Sequence, residues 1–148
     1  MKKLQWTQSM SLLLSSVIVK VLALIFAAAC VYAPFARYLV TEFGLSLPLF
    51  LTVFYICGAL AFTALFFLNK MLNNIKSEQI FIEENVRILR ILSWCCYFVG
   101  IVMAVYSFFA YPFIVISAAA AFFGLILRVL KNVFSKAVEL REENEGTI

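Results

Sequence analysis

The residue types able to carry covalent or acid–base chemistry are few in this chain, and their spacing joins none of them into a reaction centre. Histidine and aspartate are absent, so the acidic residues are eight glutamates. Without histidine, general-base schemes built on imidazole are excluded and a metal site loses its commonest nitrogen ligand. The four cysteines, Cys30, Cys57, Cys95 and Cys96, show none of the spacings that hold zinc. Adjacent Cys95 and Cys96 would point to different faces of a helix. All four read as small buried apolar residues. Cys30 and Cys57 have similar expected depth, but no disulfide between them is expected. No glycine-rich phosphate loop occurs. No catalytic, cofactor or metal residue is therefore assigned, and the chain reads as a non-enzyme.

Transport chemistry meets a similar obstacle. Ion-coupled carriers place an ionisable group inside the membrane, whereas here the charge-free stretches run over residues 21–36, 43–69 and 91–127. Lys20 and Arg128 fall at their edges, and every glutamate lies outside them. A homo-oligomeric pore lined by Thr52, Thr63, Ser107 and Ser117 is the remaining route. Such residues more often hydrogen-bond their own helix backbone.

The elements that hold these residues follow from composition. The chain has 148 residues, 65% of them hydrophobic and only 14% charged, with a mean hydropathy of +1.02. That is too little polar material to cover a soluble core. The stretches show no period-2 alternation, which excludes a membrane β-barrel. An all-α, polytopic membrane protein remains, with about 20 apolar residues needed for each crossing.

Residues 47–68 form one crossing, with Pro48 suited to its first turn. The 37 residues from Ile91 to Leu127 would extend about 55 Å as one helix, too long for a tilted span. Pro112 breaks them and biases Tyr111 toward an extended backbone. The reading is a helical hairpin with crossings at 91–109 and 113–130. The first crossing covers about 17–38, with Lys20 snorkelling to the headgroups, Pro34 kinking its last turn, and Trp6 to Ser15 interfacial. Ala27-Ala28-Ala29-Cys30 has the look of a signal-cleavage region, but the depth of Lys20 favours an uncleaved helix. The expected domain is thus a single four-pass unit over 1–148, arranged as two hairpins.

Basic residues accumulate on the cytoplasmic side. Four crossings put Lys2, Lys3, Lys20, Lys70, Lys76, Arg87, Arg90, Arg128, Lys131, Lys136 and Arg141 on one side and only Arg37 on the other. Both termini are therefore expected in the cytoplasm. The net charge of +4 is what orientation and anionic lipid require, and no direct nucleic-acid binding is expected. Trp94, Tyr38 and Tyr111 serve as interfacial anchors. Ala27–Ala29, Gly58-Ala59, Ala118–Ala121 and Gly124 offer small surfaces for helix approach, within the chain or in a homo-oligomer.

Polar material gathers in two cytoplasmic segments. In the first, Ser77 reads as an N-cap followed by an amphipathic helix. There Glu83 and Arg87 are spaced to pair, and Ile82, Val86 and Leu89 share a face. In the second, Val133, Ala137 and Leu140 share a face and Lys136 can pair with Glu139. Glu-Glu-Asn occurs in both, at 83–85 and 142–144, a hint of a duplicated two-crossing unit. The candidate partner-binding residues are Glu83, Glu84, Asn85, Arg87, Arg90, Arg141, Glu142, Glu143 and Asn144.

The stretch from Phe81 to Ile91, with its Glu84-Asn85-x-x-x-Leu89-Arg90 pattern, and the closing residues 140–148 resemble small bacterial membrane proteins grouped as domain of unknown function 2975. The resemblance covers nearly the whole chain. It departs from the family pattern where a small residue follows the last basic pair, Ala137 and Gly146 being the nearest equivalents. It implies four crossings in a bacterial cell membrane and no established activity. Family members often stand beside a very small helix-turn-helix regulator, which implies a cytoplasmic regulatory partner besides the lipid bilayer. The leading expectation is a non-enzymatic module that senses or scaffolds. The alternative is a small transporter or exporter, protecting the cell from a membrane-active compound.

Overall fold

A computed structural model describes residues 2–42 and 44–146. Phe43 and the closing Thr147 and Ile148 lie outside the described residues. Among the described residues every regular element is helical. The order is α1 (Lys2–Tyr32), a 3₁₀ turn (Ala33–Phe35), α2 (Arg37–Glu42), α3 (Leu47–Lys76), α4 (Glu83–Tyr106) and α5 (Phe113–Gly146). Four of these helices, α1, α3, α4 and α5, are long and apolar enough to cross a membrane.

Proline marks the breaks. Pro34 falls in the 3₁₀ turn that ends α1, so the first long helix stops at Tyr32, short of the expected end near 38. Pro48 stands in the first turn of α3, where its missing N–H leaves no bond unmade. Pro112 separates α4 from α5 as its geometry requires, although α4 ends at Tyr106 rather than 109. Glycine closes α2. Gly44 takes a left-handed φ of 66°, while its N–H reaches the Thr41 carbonyl and Leu45 N–H reaches Val40, the paired bonds of a Schellman cap.

The helix bounds differ from the expected crossings. The first helix starts at Lys2 rather than near 17, so Trp6 to Ser15 belong to one unbroken 31-residue helix. Past residue 68, α3 continues to Lys76. Ser77 is not an N-cap. It closes α3, its N–H donating to the Asn73 and Asn74 carbonyls, and α4 starts six residues later at Glu83. The amphipathic segment then runs straight into the apolar part of α4, and the second polar segment is likewise a continuation of α5.

The long helices pack in the order α1, α3, α4, α5, with α4 on α5 the most extensive contact. In hydrocarbon, helices gain little from the hydrophobic effect, so close backbone approach and interhelical hydrogen bonds hold them. Gly100 faces Ser117, Ala120 and Ala121, and Ser117 Oγ donates to the Gly100 carbonyl at 2.7 Å. Gly124 faces Cys96 and Tyr97. Partner numbers fall on one helix as they rise on the other, so the two run antiparallel.

Covered positions on α5 recur at 113, 117, 120, 124, 127, 131, 134 and 138, in steps of four and three, with Ala137 half-covered beside the last. That is the 3.5-residue repeat of a coiled-coil seam. Tyr55 Oη donates to the Cys30 carbonyl at 3.1 Å and ties α3 to α1. At the end holding the α4–α5 turn, Val40, Leu45 and Tyr106 form a buried cluster with Phe50, Ala110 and Phe113 packed on it.

Candidate functional site

The polar residues converge at the opposite end, where α3 stops, α4 starts and α5 continues beyond its apolar stretch. The bend between α3 and α4 is built around Asn85, which is wholly buried. Its amide donates to the carbonyls of Gln79 at 3.0 Å and Ile80 at 2.7 Å, and its oxygen accepts from Asn74 Nδ2 at 3.0 Å. A buried amide with its donors and acceptor met fixes one geometry of the chain around it.

Glu84 adds the second fastening, bonding Lys70 at 2.7 Å and Asn74 at 3.1 Å. The hydrogen bond from Lys70 is the main reason its carboxyl sits below the ordinary carboxylate range. Within the bend Glu78 takes a left-handed φ of 61°. Glu84 and Asn85 are thus engaged within the chain.

Across the bend, Phe81 stacks edge-on against Phe134 with centroids 5.3 Å apart. Arg141 reaches the Phe81 carbonyl at 3.5 Å and Glu145 at 3.3 Å. The end of α5 is therefore held down through Phe134, Val138 and Arg141. Val133 and Leu140, seven apart on one face of the helix, are 56% and 55% exposed, while Val138 is 8% exposed. Lys136 and Glu139 pair at 3.0 Å as their spacing anticipates.

On one side of the α4–α5 seam lies a groove of about 350 Å³ lined by Glu83, Val86, Arg87 and Arg90 from α4 and by Ser135, Val138, Glu139 and Glu142 from α5. The expected pair Glu83 and Arg87 shares this wall without an ion pair between them among the described residues. Glu143 and Asn144 take part in contacts on exposed α5. Of the nine candidate residues, then, Glu83, Arg87, Arg90 and Glu142 meet in the groove, Arg141 flanks it, and Glu84 and Asn85 build the bend behind it.

One turn nearer the apolar stretch, the Arg128 guanidinium lies 5.8 Å from the centre of the Trp94 ring, a cation–π contact. A separate apolar cavity of about 370 Å³ opens at the other end of the molecule, among Val40, Leu45, Phe50 and Phe113. The four cysteines are free. No three carboxylate or thiol groups cluster as metal ligands among the described residues.

The groove was hidden from the sequence because it needs the register between α4 and α5. The 3.5-residue repeat that sets this register is written in Ser117, Ala120, Gly124 and Lys131 as well as in large apolar residues, so hydropathy alone does not display it.

An all-helical fold with four helices suited to crossing a membrane places the chain among multi-pass membrane proteins. More particularly, residues 25–148 match the family described as Protein of unknown function (DUF2975), and the chain belongs to that family. No curated protein and no solved structure matches it.

Proposed function

We propose that this chain is a non-enzymatic module of the bacterial cell membrane, crossing four times as two helical hairpins, with both termini in the cytoplasm. Its polar end, formed by α4 and α5, is a platform that holds a soluble regulatory partner. The observation behind the reading is the two-faced end of α5. One face, Phe134–Val138–Arg141, is used up on α4 and the bend, while Val133 and Leu140 stay uncovered beyond the apolar stretch. Lys136, Glu139 and the acidic residues that follow surround them. An apolar stripe ringed by charge on a rigid helix suits a protein surface better than bulk water. The exporter reading has less support, because the apolar cavity serves one end only and no ionisable side chain lines it.

A photo-reactive residue at position 140, introduced in cells, tests the platform. A discrete protein adduct is expected, reduced about fivefold by Val133→Glu if the change removes roughly 1 kcal/mol of contact. No adduct, or an adduct with lipid alone, would remove the partner from this account.

A further inference from the structure

We propose that the groove between α4 and α5 binds the headgroup of a phosphoethanolamine lipid, phosphate toward Arg87 and Arg90 and ammonium toward Glu83 and Glu142. The inference rests on the membrane part of the function proposed above and not on the partner. It starts from the order of charges along the groove. Arg90 directly precedes the charge-free stretch that begins at Ile91, and Trp94 with Arg128 marks the next turn inward. Outward from there come Arg87, then Glu83 about 10 Å from Arg90 by helical rise, with Glu142 of α5 lining the same outer end. The headgroup layer on each side of the hydrocarbon is roughly 5–8 Å thick, so the groove starts at the inner edge of that layer and crosses it.

A phosphoethanolamine lipid is tethered through its phosphate, and its ammonium, two methylenes beyond, is free to turn outward. The groove has the complementary order, positive inside and negative outside. Arg87 and Arg90 stand three apart, on neighbouring positions of one helix face, and guanidinium matches phosphate oxygens with parallel N–H donors.

Glu83 and Glu142 both line the outer end of the groove, and no ion pair among the described residues uses them. Arg141, the nearest basic side chain on α5, is engaged with Glu145 and Phe81, and Glu139 with Lys136. A primary ammonium supplies three N–H donors at that outer end. A choline headgroup has no N–H to offer, and a glycerol headgroup no positive charge. The Val86 and Val138 side chains give the groove an apolar floor for the ethylene bridge.

The test is native mass spectrometry of the full chain, reconstituted with equal amounts of phosphatidylethanolamine, its mono- and dimethylated forms, phosphatidylcholine and phosphatidylglycerol, then released in mild detergent. Bound phosphatidylethanolamine should be enriched about fivefold over phosphatidylcholine, a ratio equivalent to about 1 kcal/mol. Enrichment should decline with each added methyl group.

In Glu83→Gln/Glu142→Gln the preference should move toward phosphatidylglycerol, and in Arg87→Gln/Arg90→Gln retention of every phospholipid should drop. The methylation series uses only the unaltered protein, so it decides the matter even if a variant fails to fold. Retained lipid that mirrors the bulk mixture, or is richest in phosphatidylglycerol, overturns the assignment while leaving the membrane reading intact. A chain that stays soluble without detergent and carries no lipid overturns both. A flat lipid profile with loss of the position-140 protein adduct in the groove variants makes the groove a protein surface and removes the lipid from it.

Discussion

Replacing Asn85 measures how far the bend between α3 and α4 depends on one amide. Asn85→Ala removes the donor to the Gln79 and Ile80 carbonyls and leaves the Asn74 amide with Glu84 alone. Loss of stability of about 1–3 kcal/mol is expected, because three hydrogen bonds go and a cavity replaces a wholly buried side chain. Thermal unfolding in detergent reads it, and proteolysis after Lys76 should quicken; a shift below about 1 kcal/mol would mean the loop is held by other contacts. Glu78 offers the opposite sign. Its left-handed backbone disfavours a side chain, so Glu78→Gly should stabilise by roughly 0.5–1 kcal/mol. Glu84 adds a pH dependence. Its carboxyl titrates lower in the fold than in the unfolded chain, so its contribution is present above the ordinary carboxylate range and disappears as pH falls through the folded value. Protease sensitivity of residues 77–82 should therefore rise on acidification, and Glu84→Gln should flatten that response.

At the scale of elements, the α4–α5 seam depends on absent side chains. A Cβ at Gly124 would lie 3.0 Å from the Tyr97 ring, whereas one at Gly100 would meet only ordinary contacts, the nearest being the Ser117 carbonyl at 3.4 Å. Gly100→Ala should therefore be tolerated, Gly124→Ala should cost about 1 kcal/mol as the ring shifts, and Gly100→Leu about 2–3 kcal/mol by forcing the helices apart. Ser117→Ala should cost only about 0.6 kcal/mol, the usual worth of one interhelical bond in a membrane protein. Unfolding midpoints in detergent rank the four.

The sequence made these helices legible where length and proline acted together, as at Pro48 and Pro112. It misled at Ser77, because a serine before acidic residues suits a helix start. The left-handed Glu78 just beyond the end of α3 carries no sequence signal of its own. The groove was still less visible. Glu83, Arg87, Arg90 and Glu142 could be named as surface residues, yet only the seam's register sets them facing one another. The role of Asn85 was inverted for a related reason, since a polar residue in a polar run looks solvated until the bend folds over it.

The whole molecule is a row of helices rather than a closed bundle, with α1 packed on α3 and α5 on α4 at its two edges. A row exposes much apolar surface, which in water would drive association and in lipid is ordinary boundary. The same arrangement ties the ends of the helices to the membrane's two faces. If α4 and α5 each cross once, the bend at 77–82 and the end of α5 must emerge together, since the two helices are antiparallel. The asymmetry of lysine and arginine then sets which face that is. Single cysteines at positions 76, 111 and 143, in a chain whose four native cysteines are replaced by alanine, make this measurable with a membrane-impermeant thiol reagent applied to intact cells. Position 111, in the turn beside Pro112, should label from outside, and positions 76 and 143 only after the membrane is opened. Labelling of 76 and 143 from opposite sides would break the pairing of crossings and separate Arg87 and Arg90 from a common membrane face with Glu142. The groove could not then lie at headgroup depth, however well its charges match a lipid.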